Sequence, residues 1–101
     1  MAEFLVELYL SRSDGDAVQR DAEQAVLAAE QLTSEGTSVR YVRSLFVPDD
    51  ETCFLLYEAD SAEAVREAAT RAELQFDRIS EAVGESRPLT PKEAQCTRFD
   101  A

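Results

Sequence analysis

The stretch TSVRYVRSLFVPDDETCFLLYEA, residues 37–59, decides the fold of this chain. Two runs rich in β-branched and aromatic residues flank Pro48 and the acidic residues after it, and such runs suit a pleated, half-buried surface. Proline presets the φ angle for the first central position of a type I turn, and aspartate readily bonds nearby backbone. The stretch therefore predicts two antiparallel strands joined by a tight turn.

Side chains on a strand alternate between its two faces, so the hairpin predicts two sets of side chains. The first set is plainly apolar apart from one small hydroxyl, and we expect it in the core: Val42, Ser44, Phe46, Phe54 and Leu56. The second set mixes apolar groups with a guanidinium, a thiol and two phenols: Tyr41, Arg43, Leu45, Cys53, Leu55 and Tyr57. That mixture indicates a pocket floor or an interface.

The segments on either side of the hairpin complete the fold. Residues 3–10 alternate as a strand, residues 18–32 and 61–72 repeat apolar side chains at helical spacing, and residues 76–83 form the last strand. The order β-α-β-β-α-β predicts two interleaved right-handed β-α-β units. The expected fold is α+β and ferredoxin-like, a four-stranded antiparallel sheet with two helices on one face. We expect this domain to span residues 1–83, followed by a C-terminal tail over residues 84–101.

The sheet face without helices is predicted to carry many apolar side chains: Leu5, Tyr9, Leu45, Leu55 and Tyr57. An exposed apolar patch of this size normally marks an interaction site. Two copies of the sheet that pack face to face would form a C2 homodimer of the α+β-barrel type. We therefore expect a homodimer.

Composition restricts the classes of partner. The formal net charge is −11 without any histidine, and residues 1–83 hold 18 acidic against 7 basic side chains. This charge argues against nucleic acids and anionic membranes as partners. The two cysteines form no C-x-x-C pair, so neither a disulfide framework nor a zinc site is indicated. The N-terminal residues lack the pattern of a signal peptide, and we expect a cytoplasmic location.

Several polar residues are candidates for a site. Glu7 and Arg43 are predicted on the same sheet face, as an ion pair at a dimer interface or as an anchor for a small anionic or hydroxylated ligand. Cys53 is either a small buried hydrophobe or, with Glu7, a weak metal site. The candidate ligand-binding set is completed by three tyrosines that either pack with satisfied hydroxyls or contact the ligand: Tyr9, Tyr41 and Tyr57.

Residues 35–83 resemble a small bacterial family with a ferredoxin-like fold, one member of which is a nickel-binding protein and which is otherwise catalogued as a domain of unknown function. The resemblance covers residues 3–83 and depends on marks that include Ser44, the acidic turn, Cys53, Tyr57-Glu58-Ala59 and Asp77-Arg78-Ile79. It implies a binding protein with nickel as a possible ligand. Many relatives carry a histidine just before the hairpin serine, where this chain has Arg43, a cation without a lone pair for a metal.

Three functions follow from these features. The first is a dimeric, non-catalytic protein that binds a small ligand or a metal ion. The second is a cofactor-free enzyme of the isomerase, cyclase or monooxygenase type, with Glu7 as base, Arg43 as oxyanion stabiliser and a tyrosine such as Tyr41 as acid. The third is a structural dimer with a filled interface.

Overall fold

Six helices and strands follow one another in the predicted order in the computed structural model of the chain, which describes residues 1–83. They are β1 (Ala2–Tyr9), α1 (Asp16–Ser34), β2 (Val39–Val47), β3 (Thr52–Ala59), α2 (Ala62–Arg71) and β4 (Phe76–Ala82). A single 3-10 turn, Pro48–Asp50, joins β2 to β3. The predicted tail, residues 84–101 with Cys96, lies outside the described residues.

The four strands form one antiparallel sheet in the order β2-β3-β1-β4. Both helices pack on the same face of this sheet, which confirms the predicted ferredoxin-like fold. Of the two described helices, neither combines the length and the apolar character of a membrane span.

The helix ends show which local signals act. Ser61 caps α2, because its side-chain oxygen accepts a hydrogen bond from the backbone N–H of Ala64 at 3.2 Å. Helix α1 instead begins after Gly15 without a side-chain cap. Gly36 follows the end of α1 with φ 105°, a left-handed conformation that glycine adopts without steric cost.

The core lies between the sheet and the two helices. Strand β1 contributes Phe4, Val6 and Leu8, while α1 and α2 contribute mostly alanines, such as Ala25 and Ala68. Alanine side chains are short, so the helices lie close to the sheet and a single layer of larger strand side chains fills the space.

The two faces of strand β3 are exchanged relative to the sequence prediction. Its register pairs Cys53 with Leu8, Leu55 with Val6 and Tyr57 with Phe4, and directly opposed residues share a face. All three β3 residues are therefore in the core, at 1% exposure or less. The expectation that Cys53, Leu55 and Tyr57 face away from the helices, with Phe54 and Leu56 in the core, is wrong.

The faces of β2 are changed by a β-bulge. The register with β3 shifts between Tyr41 and Arg43, so Val42 is an extra residue in the ladder. As a result Tyr41 and Ser44 lie on the core face, whereas Arg43 lies on the face away from the helices. The predicted neighbourhood of Tyr41 and Arg43 on one face is therefore wrong, while the core-side position of Ser44 is confirmed.

Candidate functional site

The open face is the sheet surface turned away from both helices. Its apolar side chains, identified by register, are Leu5, Tyr9, Leu45, Val47, Phe54 and Leu56. Leu45 is 50% exposed and Tyr9 63% exposed, while Leu5, Phe54 and Leu56 are half-buried. An apolar strip thus runs over β1, β3 and β2 of a protein that is otherwise strongly charged.

Glu7 lies on the open face, but its ionic partner is not the one predicted. The Nε of Arg78 lies 3.2 Å from the Oε2 of Glu7, because the register of β1 and β4 places these residues opposite each other. Arg43 lies beyond β3, beside Leu56. Within one chain, Glu7 therefore pairs with Arg78 and not with Arg43.

Arg43 remains without an ion pair among residues 1–83. A second open-face arginine, Arg40, donates from Nε to the Oε1 of Glu58 at 2.9 Å, so it is already neutralised. Arg43 is exposed and has apolar Leu56 as its cross-strand neighbour. Among residues 1–83, Arg43 is therefore the open-face cation that remains available for an additional anion.

Cys53 and Glu7 do not form a metal site together. Cys53 is 1% exposed on the core face, while Glu7 is on the open face, so the sheet separates them. Burial raises the pKa of the Cys53 thiol, and the negative charge of Asp21 raises it further. Within residues 1–83, no group of three histidine, cysteine or acidic side chains is arranged to hold a metal ion.

The candidate tyrosines divide between the two faces. Tyr41 and Tyr57 meet edge to face in the core, with ring centroids 5.9 Å apart at an interplanar angle of 77°. The Tyr41 hydroxyl lies 2.6 Å from the hydroxyl of Ser44. Tyr9 stays on the open face, where its hydroxyl donates to the Oε2 of Glu51 at 3.4 Å. A pocket that combines all three tyrosines is excluded by this arrangement.

Tyr57 carries a buried hydroxyl that has no hydrogen-bond partner among residues 1–83. Burial raises the pKa of Tyr57 above its usual value of 10.0, and nearby Tyr41 adds to the rise. Because a buried donor without a partner costs about 1–3 kcal/mol, this hydroxyl opposes folding.

Removing that hydroxyl is therefore expected to stabilise the protein. We expect Tyr57→Phe to raise the free energy of unfolding by about 1 kcal/mol, measured by urea denaturation at pH 7. Tyr41→Phe is the matched control, and it should lower the same free energy because the bond to Ser44 is lost. Destabilisation by Tyr57→Phe as large as that of Tyr41→Phe would contradict this account.

Tyr57→Phe is also expected to change how the stability of the protein depends on pH in the alkaline range. Burial raises the folded pKa of Tyr57 above its unfolded pKa, so above pH 10.0 the unfolded chain releases this proton more readily and the stability of the wild-type chain falls as the pH rises. Tyr57→Phe should therefore show a smaller loss of stability above that pH than the wild-type chain.

A groove that shares only Tyr41 with the predicted site lies between the C-terminal half of α1 and the start of β2. We call it the α1–β2 groove; it has a volume of about 660 Å³ and is lined by Met1, Val26, Ala29, Glu30, Thr33, Ser34, Ser38, Val39, Arg40 and Tyr41. The sequence analysis did not predict this groove. Helical periodicity predicts which side of α1 is apolar, but it does not predict the distance between α1 and the edge strand β2. The 38% exposure of Val26, an apolar residue of the predicted helix stripe, is the structural sign of this gap.

Comparisons with known proteins agree on one family. A family model described as "Nickel responsive protein SCO4226-like" matches residues 6–82. The chain is also similar to the crystal structure of SCO4226 from Streptomyces coelicolor A3(2), with 28% sequence identity and a TM-score of 0.67. That match covers 84% of this chain and 100% of the solved one. No curated protein sequence matches the chain.

Proposed function

This chain belongs to the SCO4226-like family of nickel-responsive proteins, and from that premise we propose that it is a small, non-enzymatic binding protein that works as a homodimer. The observation that carries the proposal is the open face, which combines an apolar strip with an arginine that has no ionic partner among the described residues. An apolar patch bordered by charges is typical of an interaction surface rather than of a surface kept in water.

Charge supports the open face as the contact between two copies. The chain has a net charge of −11, so most of its surface repels a second copy. By register, however, the strands place three arginines and three glutamates on this face: Arg40, Arg43, Arg78, Glu3, Glu7 and Glu58. Two acidic chains therefore meet with the least repulsion at the open face.

A dimer through the open face has to bury most of that face. Stable interfaces bury about 1,200–2,000 Å² in total, which is about 800 Å² on each copy. Light scattering at micromolar concentration measures the mass directly. A monomeric mass for the wild-type chain would contradict the dimer.

Arg43 is the group that we propose holds a ligand. A guanidinium binds carboxylate or phosphate through two parallel hydrogen bonds, and Leu45 and Leu56 beside it offer apolar contact. The ligand class that fits is a small anion with an apolar body.

A fluorescent anion with apolar rings, 1-anilinonaphthalene-8-sulfonate, provides a test of this ligand class. We expect Arg43→Ala to weaken binding of the probe about tenfold, since a charge-assisted hydrogen bond contributes about 1.5–3 kcal/mol. Arg78→Ala is the matched control, because Arg78 is already paired with Glu7. Equal affinities for the probe in the wild-type chain and in both variants would contradict the role of Arg43.

The donor set of this chain does not fit a tight nickel site. Nickel prefers imidazole and thiolate ligands together with carboxylates, and the sequence contains no histidine. Cys53 is in the core as a protonated thiol, and Glu7 is engaged by Arg78 on the opposite face. The positive charge of Arg43 lies on the same open face as Glu7 and further disfavours a divalent cation there.

Calorimetry with Ni²⁺ on tag-free protein tests this conclusion. We expect no sub-micromolar site at one ion per subunit, and only weak binding to surface carboxylates. That weak binding should be unchanged in Cys53→Ser and in Glu7→Gln. A tight site that either substitution abolishes would show that the two residues come together in solution.

The enzyme alternative receives no specific support from the geometry. It requires a base, an oxyanion stabiliser and an acid that converge on one substrate. Glu7 is paired with Arg78, Arg43 lies beyond β3, and Tyr41 is on the core face. Membership of the family likewise names no reaction, so binding is the function that we propose.

A further inference from the structure

We propose that the α1–β2 groove is a second ligand site, which binds a small apolar molecule that carries one positive charge. The groove has a volume of about 660 Å³, and small-molecule sites in proteins have volumes of about 300–1,000 Å³. It lies between α1 and the edge strand β2, and binding there requires neither the anion site proposed on the open face nor the dimer.

The lining of the groove offers apolar contact to such a molecule. Ala29 on α1 and Val39 on β2 are buried at its base, and Val26 beside them is 38% exposed. The half-buried ring of Tyr41 also lines the groove and adds a large aromatic surface. An apolar molecule in the groove would remove water from Val26 and Tyr41, and this burial favours binding.

Hydrogen bonds between the helix and the strand hold the groove in shape. The Thr33 hydroxyl donates to the carbonyl oxygen of Val39 at 2.9 Å and so joins the C-terminal part of α1 to the first residue of β2. The backbone N–H of Thr37 donates to the carbonyl oxygen of Leu32 at 2.9 Å within the connection between the two elements. The groove is therefore formed before a ligand binds, and the cost of ordering it does not reduce the affinity.

The charged groups of the groove favour a cation over an anion. Glu30 lines the groove, is exposed, and forms no salt bridge within residues 1–83. Arg40 also lines the groove, but its Nε already donates to the Oε1 of Glu58 at 2.9 Å. The net charge of −11 attracts cations to the whole chain and repels anions from it. The matching ligand is thus a protonated amine beside Glu30, with its apolar body in the groove.

Two probes with the same aromatic rings separate the effect of charge from that of apolar contact. These are 1-naphthylmethylamine, which is protonated at pH 7, and neutral 1-naphthylmethanol. We expect Glu30→Gln to weaken binding of the amine about threefold to fivefold, because an exposed ion pair is weak, and to leave binding of the alcohol unchanged. Glutamine is as good a helix former as glutamate, so α1 should stay intact.

Glu67→Gln is the matched control for the loss of one negative charge. Glu67 is exposed on α2 and does not line the groove, so this variant should bind both probes as the wild-type chain does. Unchanged binding of the amine by Glu30→Gln would overturn the proposal. Equal weakening by the two variants would overturn it as well, because the net charge of the chain would then attract the amine without the groove.

Nuclear magnetic resonance of methyl groups locates the bound amine. During a titration of the wild-type chain with 1-naphthylmethylamine, we expect the signals of Val26, Ala29 and Val39 to shift along a curve that saturates. These shifts should be larger than those of Leu45, which lies on the open face. Shifts that do not saturate, or shifts confined to Leu45, would show that the groove is not the binding site of the amine.

Discussion

Leu55→Ala is expected to lower the free energy of unfolding by about 2–5 kcal/mol, the range for leucines truncated in a protein core. Leu55 is fully buried and lies between Val6 on β1 and Ser44 on β2. Strand β3 is a central strand, so its backbone does not move readily to fill the space that a truncated side chain leaves. The lost contacts and the remaining cavity should both destabilise the folded state.

Leu45→Ala is the matched control for this substitution. Leu45 is on the neighbouring strand but on the open face, where it is 50% exposed. Its truncation should cost the monomer less than 1.5 kcal/mol, the lower end of the free energy for fully burying a leucine side chain. Urea denaturation at several protein concentrations separates a loss of core packing from a loss of dimer contact. The destabilisation by Leu55→Ala should not depend on protein concentration, because Leu55 is in the core. A larger cost for Leu45→Ala at low concentration would mean that the faces are assigned the wrong way round.

That experiment addresses the point at which sequence reasoning failed. The hairpin, the order of the elements and the fold could be predicted, because turn chemistry and helical spacing are local signals. Residues 53–57 are all apolar, so a shift of one residue exchanges the two faces without breaking any hydrophobic pattern. A central strand is apolar on both faces, and only its pairing with β1 decides which face is in the core.

Two further strand pairings explain why the candidate site could be predicted only in part. The bulge at Val42 depends on the pairing register of β2 with β3, and no residue type in β2 predicts it. The partner of Glu7 depends on strand order, which places Arg78 opposite Glu7 and Arg43 two strands away from it. Residue types thus indicated which groups are polar, while the register of the sheet determines which of them meet.

The second large effect concerns the proposed dimer. We expect Leu45→Asp to raise the dimer dissociation constant by at least about thirtyfold, since a disrupted interface hot spot costs about 2 kcal/mol or more. The substitution places a carboxylate in the apolar strip and changes the charge of a face on which arginines and glutamates are balanced. At a C2 interface each substitution occurs twice, so the repulsion between the two copies adds to the loss of apolar contact.

Leu27→Asp is the control that separates this effect from a general effect of charge. Leu27 is 61% exposed on α1, on the other side of the sheet, so the variant has the same net charge with an intact open face. Sedimentation equilibrium should show monomers for Leu45→Asp at concentrations where the wild-type chain and Leu27→Asp remain dimers, with circular dichroism showing that all three are folded. If both variants dissociate equally, net charge rather than the open face controls association. If Leu45→Asp remains a dimer, the two copies do not meet through the apolar strip around Leu45.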